Sequence, residues 1–254
     1  MVELKTPAEI DAMRVAGRVV GRALAAVRER AVPGARLRDL DHTAAKVIAD
    51  AGADPLFRGY HPDWAPIPFP ATICASVNDA VLHGIPTDQR LHDGDVVSVD
   101  CGARLGGWCG DAATTFVVGE ADPADTALVA AGERALRAGI KAARPGNTLG
   151  DVSAAIAESA RGAGYGILDD HGGHGIGRTM HEAPYVPNEG RAGRGMKLRA
   201  GMVLAVEPVL TRGGDAAFTA PDGWTVHVAD GSHGTHSEHT VAVTKSGPRV
   251  LTHQ

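Results

Sequence analysis

Four acidic side chains interrupt runs that are otherwise strongly apolar: Asp100 ends "DVVSVD", Asp111 heads "DAATTFVV", Glu207 ends "MVLAVE" and Glu238 heads "EHTVAV". Apolar strands rarely carry carboxylates without a partner, because removing a charge from water is costly unless something compensates it. The stretch "DVVSVDCGARLGGWCGDAATTFVV" reads as a β-hairpin turning near "LGG". A two-residue turn at Leu105-Gly106 puts Asp100 and Asp111 directly opposite, and one at Gly106-Gly107 makes them diagonal neighbours. Either turn places both on one face. An odd-length loop would split the faces, but the valines beside Asp100 argue for a strand buried on both sides. Two carboxylates that close cannot both ionise without compensation, and a cation between them resolves the conflict.

Histidine supplies the other half of the candidate chemistry. Residues 169 to 190, "DDHGGHGIGRTMHEAPYVPNEG", hold His171, His174 and His181 among glycines. A zinc-protease helix, with two histidines and a glutamate on one face, does not fit: Gly172, Gly173, Gly175 and Gly177 would each cost about 0.8 to 1 kcal/mol relative to alanine in a helix interior. The histidines therefore belong to a loop or an irregular strand, where glycine admits close approach of another backbone. Taken alone the segment fits a solvated polar loop, and the rest of the chain decides.

The elements that must position these groups are written twice. "TPAE" at Thr6 to Glu9 is a capping box opening a helix that runs to about Arg30. "PG" at 33 and 34 breaks the chain before a second helix, "LRDLDHTAAKVIADAG", which Gly52 can close. Further on, a helix from about Pro123 to Ala143 meets "PG" at 145 and 146 and is followed by "TLGDVSAAIAESARGAG". Pro33, Gly34, Leu37 and Asp39 align with Pro145, Gly146, Leu149 and Asp151. "LHDGDVVSVD" ending at Asp100 matches "LRAGMVLAVE" ending at Glu207, and "HGI" at 83 to 85 recurs at 174 to 176. The pattern predicts an α/β (α+β) chain of two pseudo-symmetric halves, about 6–119 and 122–247, each of two helices followed by strands. Each half carries one histidine and two carboxylates, His83, Asp100, Asp111 and His174, Glu207, Glu238, and a twofold junction of the sheets would bring the six together.

Asp100, Asp111, Glu207, Glu238 and His174 offer four oxygen-donor residues and one imidazole. Four negative charges over-supply a single ion, whereas two divalent cations sharing bridging carboxylates balance them. Two metals roughly 3.5 to 4 Å apart form a hydrolytic arrangement in which a bridging water becomes the nucleophile.

The ordered set, with "HGIP", "HGGHGIGRTMHEAP", "VEP" and "SEHT" around it, resembles the methionine aminopeptidases of the pita-bread fold over nearly the whole chain. The resemblance implies two pseudo-symmetric halves with a central antiparallel sheet covered by helices, in a single catalytic domain over 1–254. It implies a dinuclear metallopeptidase that removes initiator methionine from nascent proteins whose second residue is small. By the same resemblance Asp100 chelates one metal, Asp111 and Glu238 bridge both, and His174 and Glu207 complete the second. Glu207 also matches the family's proton shuttle. His83 matches the histidine near the scissile amide and the substrate amine, and His181 the one that hydrogen-bonds the peptide carbonyl, which leaves His171 a structural part.

A thioether needs a small, soft, apolar slot. The resemblance draws its walls from Tyr60, Phe69, Cys74 and Trp224, with Met180 where relatives often have phenylalanine. Between Tyr60 and Cys74 the chain departs from the compact family form with "HPDWAPIPFPATI", a longer, proline-rich connection at the pocket rim. The short spacing from Glu207 to Glu238 leaves no room for the helical insertion of type II enzymes, and Asp100 lies too near the start for a zinc-finger extension, so the resemblance is to type I.

Two rival readings stand beside it. A prolidase or aminopeptidase P shares the ligand set but normally carries a large additional N-terminal domain. A catalytically silent pita-bread binding protein usually loses ligands, and here all five are present. The histidines at 227, 233, 236 and 239 could form a separate metal site, a reading that rests on composition alone. Cobalt, manganese, iron and zinc all suit these donors.

With 254 residues and 44% hydrophobic content, the chain can bury a full core. A net charge of -5 gives no footprint for nucleic acid or an anionic membrane surface, and the one basic run, Arg191, Arg194, Lys197 and Arg199, reads as a solvated loop. Three cysteines, Cys74, Cys101 and Cys109, form no zinc-knuckle pair and, being odd in number, no disulfide framework; packed thiols in a reducing cytosol are expected. No signal peptide and no apolar run of membrane-spanning length are visible, so a cytoplasmic enzyme is expected. Its partners would be nascent polypeptide N-termini and peptides beginning with Met, and its class resembles monomers. Ribosome association would suit such an enzyme, although no basic patch marks it.

Overall fold

The computed structural model describes residues 2–253. Thr6 accepts the backbone N–H of Glu9 while Glu9 Oε2 accepts that of Thr6, the expected capping box, and α1 (Pro7–Arg30) follows. The Pro-Gly joint then turns the chain into α2 (Leu37–Asp50), with Gly34 at φ 88°, a conformation open to glycine. α3 (Pro123–Ala142) and α4 (Leu149–Gly162) repeat the plan, with Gly146 at φ 91°. The two joints differ at the cap. Thr148 and Asp151 form a capping box on α4, whereas the equivalent position before α2 is Arg36, which has no oxygen to offer.

Between the helix pairs lie β1 (Asp54–Pro55), β2 (Ile73–Val77), β3 (Ala80–Leu82), β4 (Val96–Leu105) and β5 (Trp108–Val117). After α4 come β6 (Gly166–Ile167), β7 (Gly172–Gly175), β8 (Glu182–Pro187), β9 (Val203–Val206) and β10 (Val209–Thr211). The chain ends with β11 (Ala217–Thr219), β12 (Val226–Val228), β13 (Gly234–His236), β14 (His239–Thr244) and β15 (Gly247–Val250). In the first half β4 pairs with β1 and β2 on one side and β5 on the other; in the second the order is β15-β14-β9-β7-β8. Every pairing is antiparallel.

Strand periodicity decides which side chains meet. Val97, Val99 and Cys101 of β4, with Ala112 and Phe116 of β5, pack into a core with Val20, Leu24 and Leu40 of α1 and α2. Leu204 and Val206 of β9, with Val241 and Val243 of β14, pack likewise with Leu128, Leu136 and Ile156 of α3 and α4. Alternation therefore turns Asp100, Asp111, Glu207 and Glu238 to the opposite face in both halves.

The halves join where β5 meets the start of β14. Glu238 N–H donates to Ala113 O at 3.0 Å, and Thr240 Oγ1 both accepts from Asp111 N at 3.0 Å and donates to Asp111 O at 2.8 Å. One repeat in the sequence has no structural counterpart. His83 follows β3, whereas His174 lies within β7, the strand that pairs with β9, so the two "HGI" strings occupy different places. Among the described residues, no helix is long and apolar enough to cross a membrane.

Candidate active site and metal centre

The hairpin turns at Gly106-Gly107, both at positive φ, with Leu105 opposite Trp108. Asp100 accordingly faces Ala113 and Asp111 faces Gly102, which makes the two aspartates diagonal neighbours on one face. Glu207 sits where β9 stops at Pro208, and Asn188 Nδ2 holds its carbonyl at 3.0 Å. Glu238 is just ahead of β14, across from Glu207 in the continuation of the β9·β14 register.

The glycines around His174 serve close packing. A Cβ on Gly173 would collide with Ala205 O of β9, and one on Gly172 would lie 2.7 Å from Val186 O of β8. β7 is thus a strand squeezed between two neighbours, and only glycine fits beside His174. The ring is oriented by its own backbone. His174 Nδ1 lies 2.9 Å from Gly175 O, and a carbonyl can only accept, so the proton is on Nδ1 and the lone pair on Nε2. That Nε2 points at the acidic group, 3.4 Å from Glu207 Oε1.

A cavity of about 330 Å³ opens over this group, lined by Asp100, Asp111, His174, Glu207 and Glu238 at its floor. His83, His171 and His181 line its walls, so His171, expected to be structural, faces the cavity, its Nδ1 tied to Asp169 O at 2.7 Å. His83 and the neighbouring Asp170 are held at φ 54° and 59°, a conformation that is strained for a residue with a Cβ. Tyr60, Phe69, Cys74, Met180 and Trp224 form the apolar end and pack as one cluster. The long connection does not displace them. Phe69 N–H donates to Tyr60 O and Gly59 N–H to Phe69 O, each at 2.8 Å, closing the excursion at its neck, while Trp224 Nε1 donates to Ile67 O at 2.9 Å. The excursion contributes Trp64, whose ring is 4.9 Å from that of Trp224 at the cavity mouth.

Burial and mutual repulsion govern the charges. Burial, then the charges of Asp111 and Glu207, push the Asp100 carboxyl well above the usual range; burial, then the charges of Asp111, Glu207 and Asp100, do the same to Glu238. Burial and Glu207 raise Asp111 to about 8. Glu207 is the exception. Burial pushes it up, but the imidazoles of His236, His174 and His181 outweigh this and hold it low. At 3.7 Å, His236 Nε2 is beyond hydrogen-bond reach of Glu207 Oε2, so its pull is electrostatic. Burial lowers His83 and His181 to about 4 each, which keeps both rings neutral at pH 7.

The donors fit a cation. Asp100 Oδ1, Asp111 Oδ1 and Glu238 Oε1 are buried with no hydrogen-bond partner, a state that is costly for a carboxylate unless an ion fills the gap. Among the described residues, Asp111, His174 and Glu238 form one set of donors within 4.8 Å of one another, and Glu207, His236 and Glu238 form another. Asp100 belongs to neither set and adjoins them through Asp111.

Sequence reasoning missed several contributors. Phe57 and Trp64 line the cavity. Lys5, its side chain 2% exposed, pairs with Glu182 at 2.5 Å, and Glu182 Oε1 accepts Arg178 N–H, which fixes the turn carrying His181. His236 was visible only as one of several late histidines. The structure disperses that group: His227 pairs with Asp79, His233 with Asp125, His239 with Thr252, and His236 alone enters the acidic cluster. Cys101 and Cys109 are packed thiols, as expected.

The acidic face, its imidazole and the adjoining slot define a metallopeptidase site, and the sequence matches metallopeptidase family M24 over residues 11–245; the chain belongs to that family. It is 51% identical to methionine aminopeptidase 1 of Mycobacterium tuberculosis (strain CDC 1551 / Oshkosh), over 99% of this chain and 95% of that one. It is 45% identical to the methionine aminopeptidase of Clostridium acetobutylicum over 99% of both. The crystal structure of methionine aminopeptidase from Thermotoga maritima superposes with a TM-score of 0.96 at 40% identity, covering both chains completely. Prolidase from Pyrococcus furiosus shares the pita-bread fold, with a TM-score of 0.78 at 24% identity, but this chain covers only 65% of it.

Proposed function

We propose that the chain is a type I methionine aminopeptidase: a metal-dependent exopeptidase that removes the N-terminal methionine of nascent proteins and peptides whose second residue is small. The observation that carries this reading is the presence, in one cavity, of partnerless buried carboxylates beside an apolar slot of Phe69, Cys74, Met180 and Trp224. We read residues 1–254 as one catalytic domain, with an internal repeat near 6–119 and 122–247, acting in the cytoplasm as a monomer. Ribosome association remains a further expectation of that role.

Asp100, Asp111, His174, Glu207 and Glu238 would hold two divalent ions, with Asp111 and Glu238 shared between them. Cobalt, manganese, iron and zinc are the candidates. Bound there, the ions would supply activation of the attacking water and positive charge for the developing oxyanion. Glu207, whose carboxyl is held low and therefore ionised at neutral pH, accepts the proton of that water and delivers it to the departing amine. Tyr60 OH lies 3.0 Å from His181 Nδ1; when the hydroxyl donates, the ring carries its proton on Nε2 and offers it to the peptide carbonyl. His83, neutral beside it, orients the scissile amide and the substrate amine. The slot takes the methionine side chain, and the polar floor lies beside the bond that follows.

The test is release of free methionine from Met-Ala-Ser by chelator-treated protein. Release should fall to background on chelation and return with manganese or cobalt. Full activity with no metal detectable in the protein would contradict the reading.

A further inference from the structure

We infer that His236 is a sixth protein ligand of the metal centre, adding an imidazole at the position framed by Glu207 and Glu238. This rests on the dinuclear reading above and goes beyond its five ligands.

His236 is 2% exposed at the end of β13, and its backbone is clamped on both sides. Its N–H donates to Thr115 Oγ1 at 3.0 Å, and its carbonyl accepts from the same hydroxyl at 2.7 Å. With the backbone fixed, the ring is directed into the acidic face. Its Nε2 is buried and has no hydrogen-bond partner. Leaving a buried nitrogen unpaired costs about 1 to 3 kcal/mol, so the position calls for a partner.

The neighbouring oxygens are spaced for a shared ion rather than for a direct bond. Nε2 lies 3.7 Å from Glu207 Oε2 and 4.0 Å from Glu238 Oε2. A direct hydrogen bond would bring the atoms to about 2.9 Å. Two donors bound at about 2.1 Å to one ion stand about 3 Å apart at a right angle and about 4.2 Å apart when opposite. Both distances fall in that window, as does the 3.4 Å between His174 Nε2 and Glu207 Oε1. The three atoms of Glu207, His236 and Glu238 all lie within 4.8 Å of one another.

The consequence is an imidazole in each set of donors: His174 stands with Asp111 and Glu238, and His236 with Glu207 and Glu238. Imidazole suits zinc and iron, and carboxylates suit manganese, so the position that His236 joins should take zinc in preference to manganese.

The full chain, stripped of metal, is titrated calorimetrically with zinc and separately with manganese, and its copper(II) form is examined by pulsed EPR for imidazole nitrogens. The wild type should take two ions per chain and show two coupled imidazoles. In His236→Gln one site should lose about tenfold or more in zinc affinity, the other should be unaffected, and one imidazole signal should disappear. His236→Asn, checked for an unchanged thermal transition, guards against a folding artefact, and the wild-type nitrogen count stands even if both variants fail to fold. Unchanged zinc affinity in a folded variant, or a single imidazole in a two-ion wild type, would overturn the inference and leave the ring bridged by water. Fewer than two ions in the wild type would overturn the dinuclear reading itself.

Discussion

His174 Nε2 stands 3.4 Å from Glu207 Oε1, and the Nδ1 of the same ring is tied to Gly175 O at 2.9 Å. The backbone bond selects the tautomer, so the free lone pair faces the acidic group before any ion arrives. His174→Ala should therefore lose metal and activity together, as measured by metal content after dialysis. His181→Ala should keep its metal and lose about 10² to 10³ in kcat, the range for removal of one oxyanion donor. Unchanged metal content in His174→Ala would contradict the assignment.

The raised carboxyls make the stripped protein sensitive to alkali. Asp111 is lifted from 3.8 to about 8, and Asp100 and Glu238 are lifted as well. A folded-state pKa above the unfolded value means the native state binds more protons, so stability present below about pH 4 falls as pH rises toward 8. Thermal melts of chelated protein should show the transition dropping across that interval. Metal-loaded protein should resist the drop, since the ions replace the protons. A pH-independent transition in the stripped protein would count against this coupling.

Lys5 acts at a distance through Glu182. The buried ammonium holds a carboxylate that also accepts the backbone N–H of Arg178 and Thr179. Lys5→Met leaves that charge uncompensated, at a cost of about 3 kcal/mol, and loosens the turn before His181. The expected outcome is a lower denaturation midpoint and a reduced kcat with metal content intact. A fall in midpoint with kcat unchanged would separate stability from positioning and deny Lys5 the second role.

Met180 lies at the apolar end with Cys74, Phe69 and Trp224, where its side chain would set the width of a methionine slot. Met180→Ala should let larger first residues in. Because about 1 to 3 kcal/mol attends each methylene of fit, the kcat/KM ratio of Met-Ala-Ser to Phe-Ala-Ser should fall about tenfold or more. An unchanged ratio would place Met180 in the packing alone.

What could be read in advance followed local rules. The Thr6 capping box, the two Pro-Gly joints and the strand alternation that sends all four carboxylates to one face are short-range consequences of residue type. Glycine beside His174 likewise marked a close backbone approach, though not which neighbour made it. The seam between Thr240 and Asp111, the Lys5–Glu182 pair and the Trp224–Ile67 bond join residues more than a hundred positions apart, and no spacing rule connects them. His236 had a signal that was not used. It stands two residues before Glu238, and in extended chain that offset puts both side chains on one face. The recurrence of "HGI" misled in the other direction, because an identical string lies in a strand at His174 and past one at His83.

The most direct test of the central claim is a single assay of free amino acid released from Met-Ala-Ser and from an Xaa-Pro peptide such as Ala-Pro-Ser, by metal-free protein with and without added manganese or cobalt. The expected result is metal-dependent release of methionine and none of alanine. Metal-dependent cleavage of the Xaa-Pro peptide would make the chain an Xaa-Pro peptidase of the prolidase or aminopeptidase P kind, and metal binding with cleavage of neither would make it a silent member of the fold.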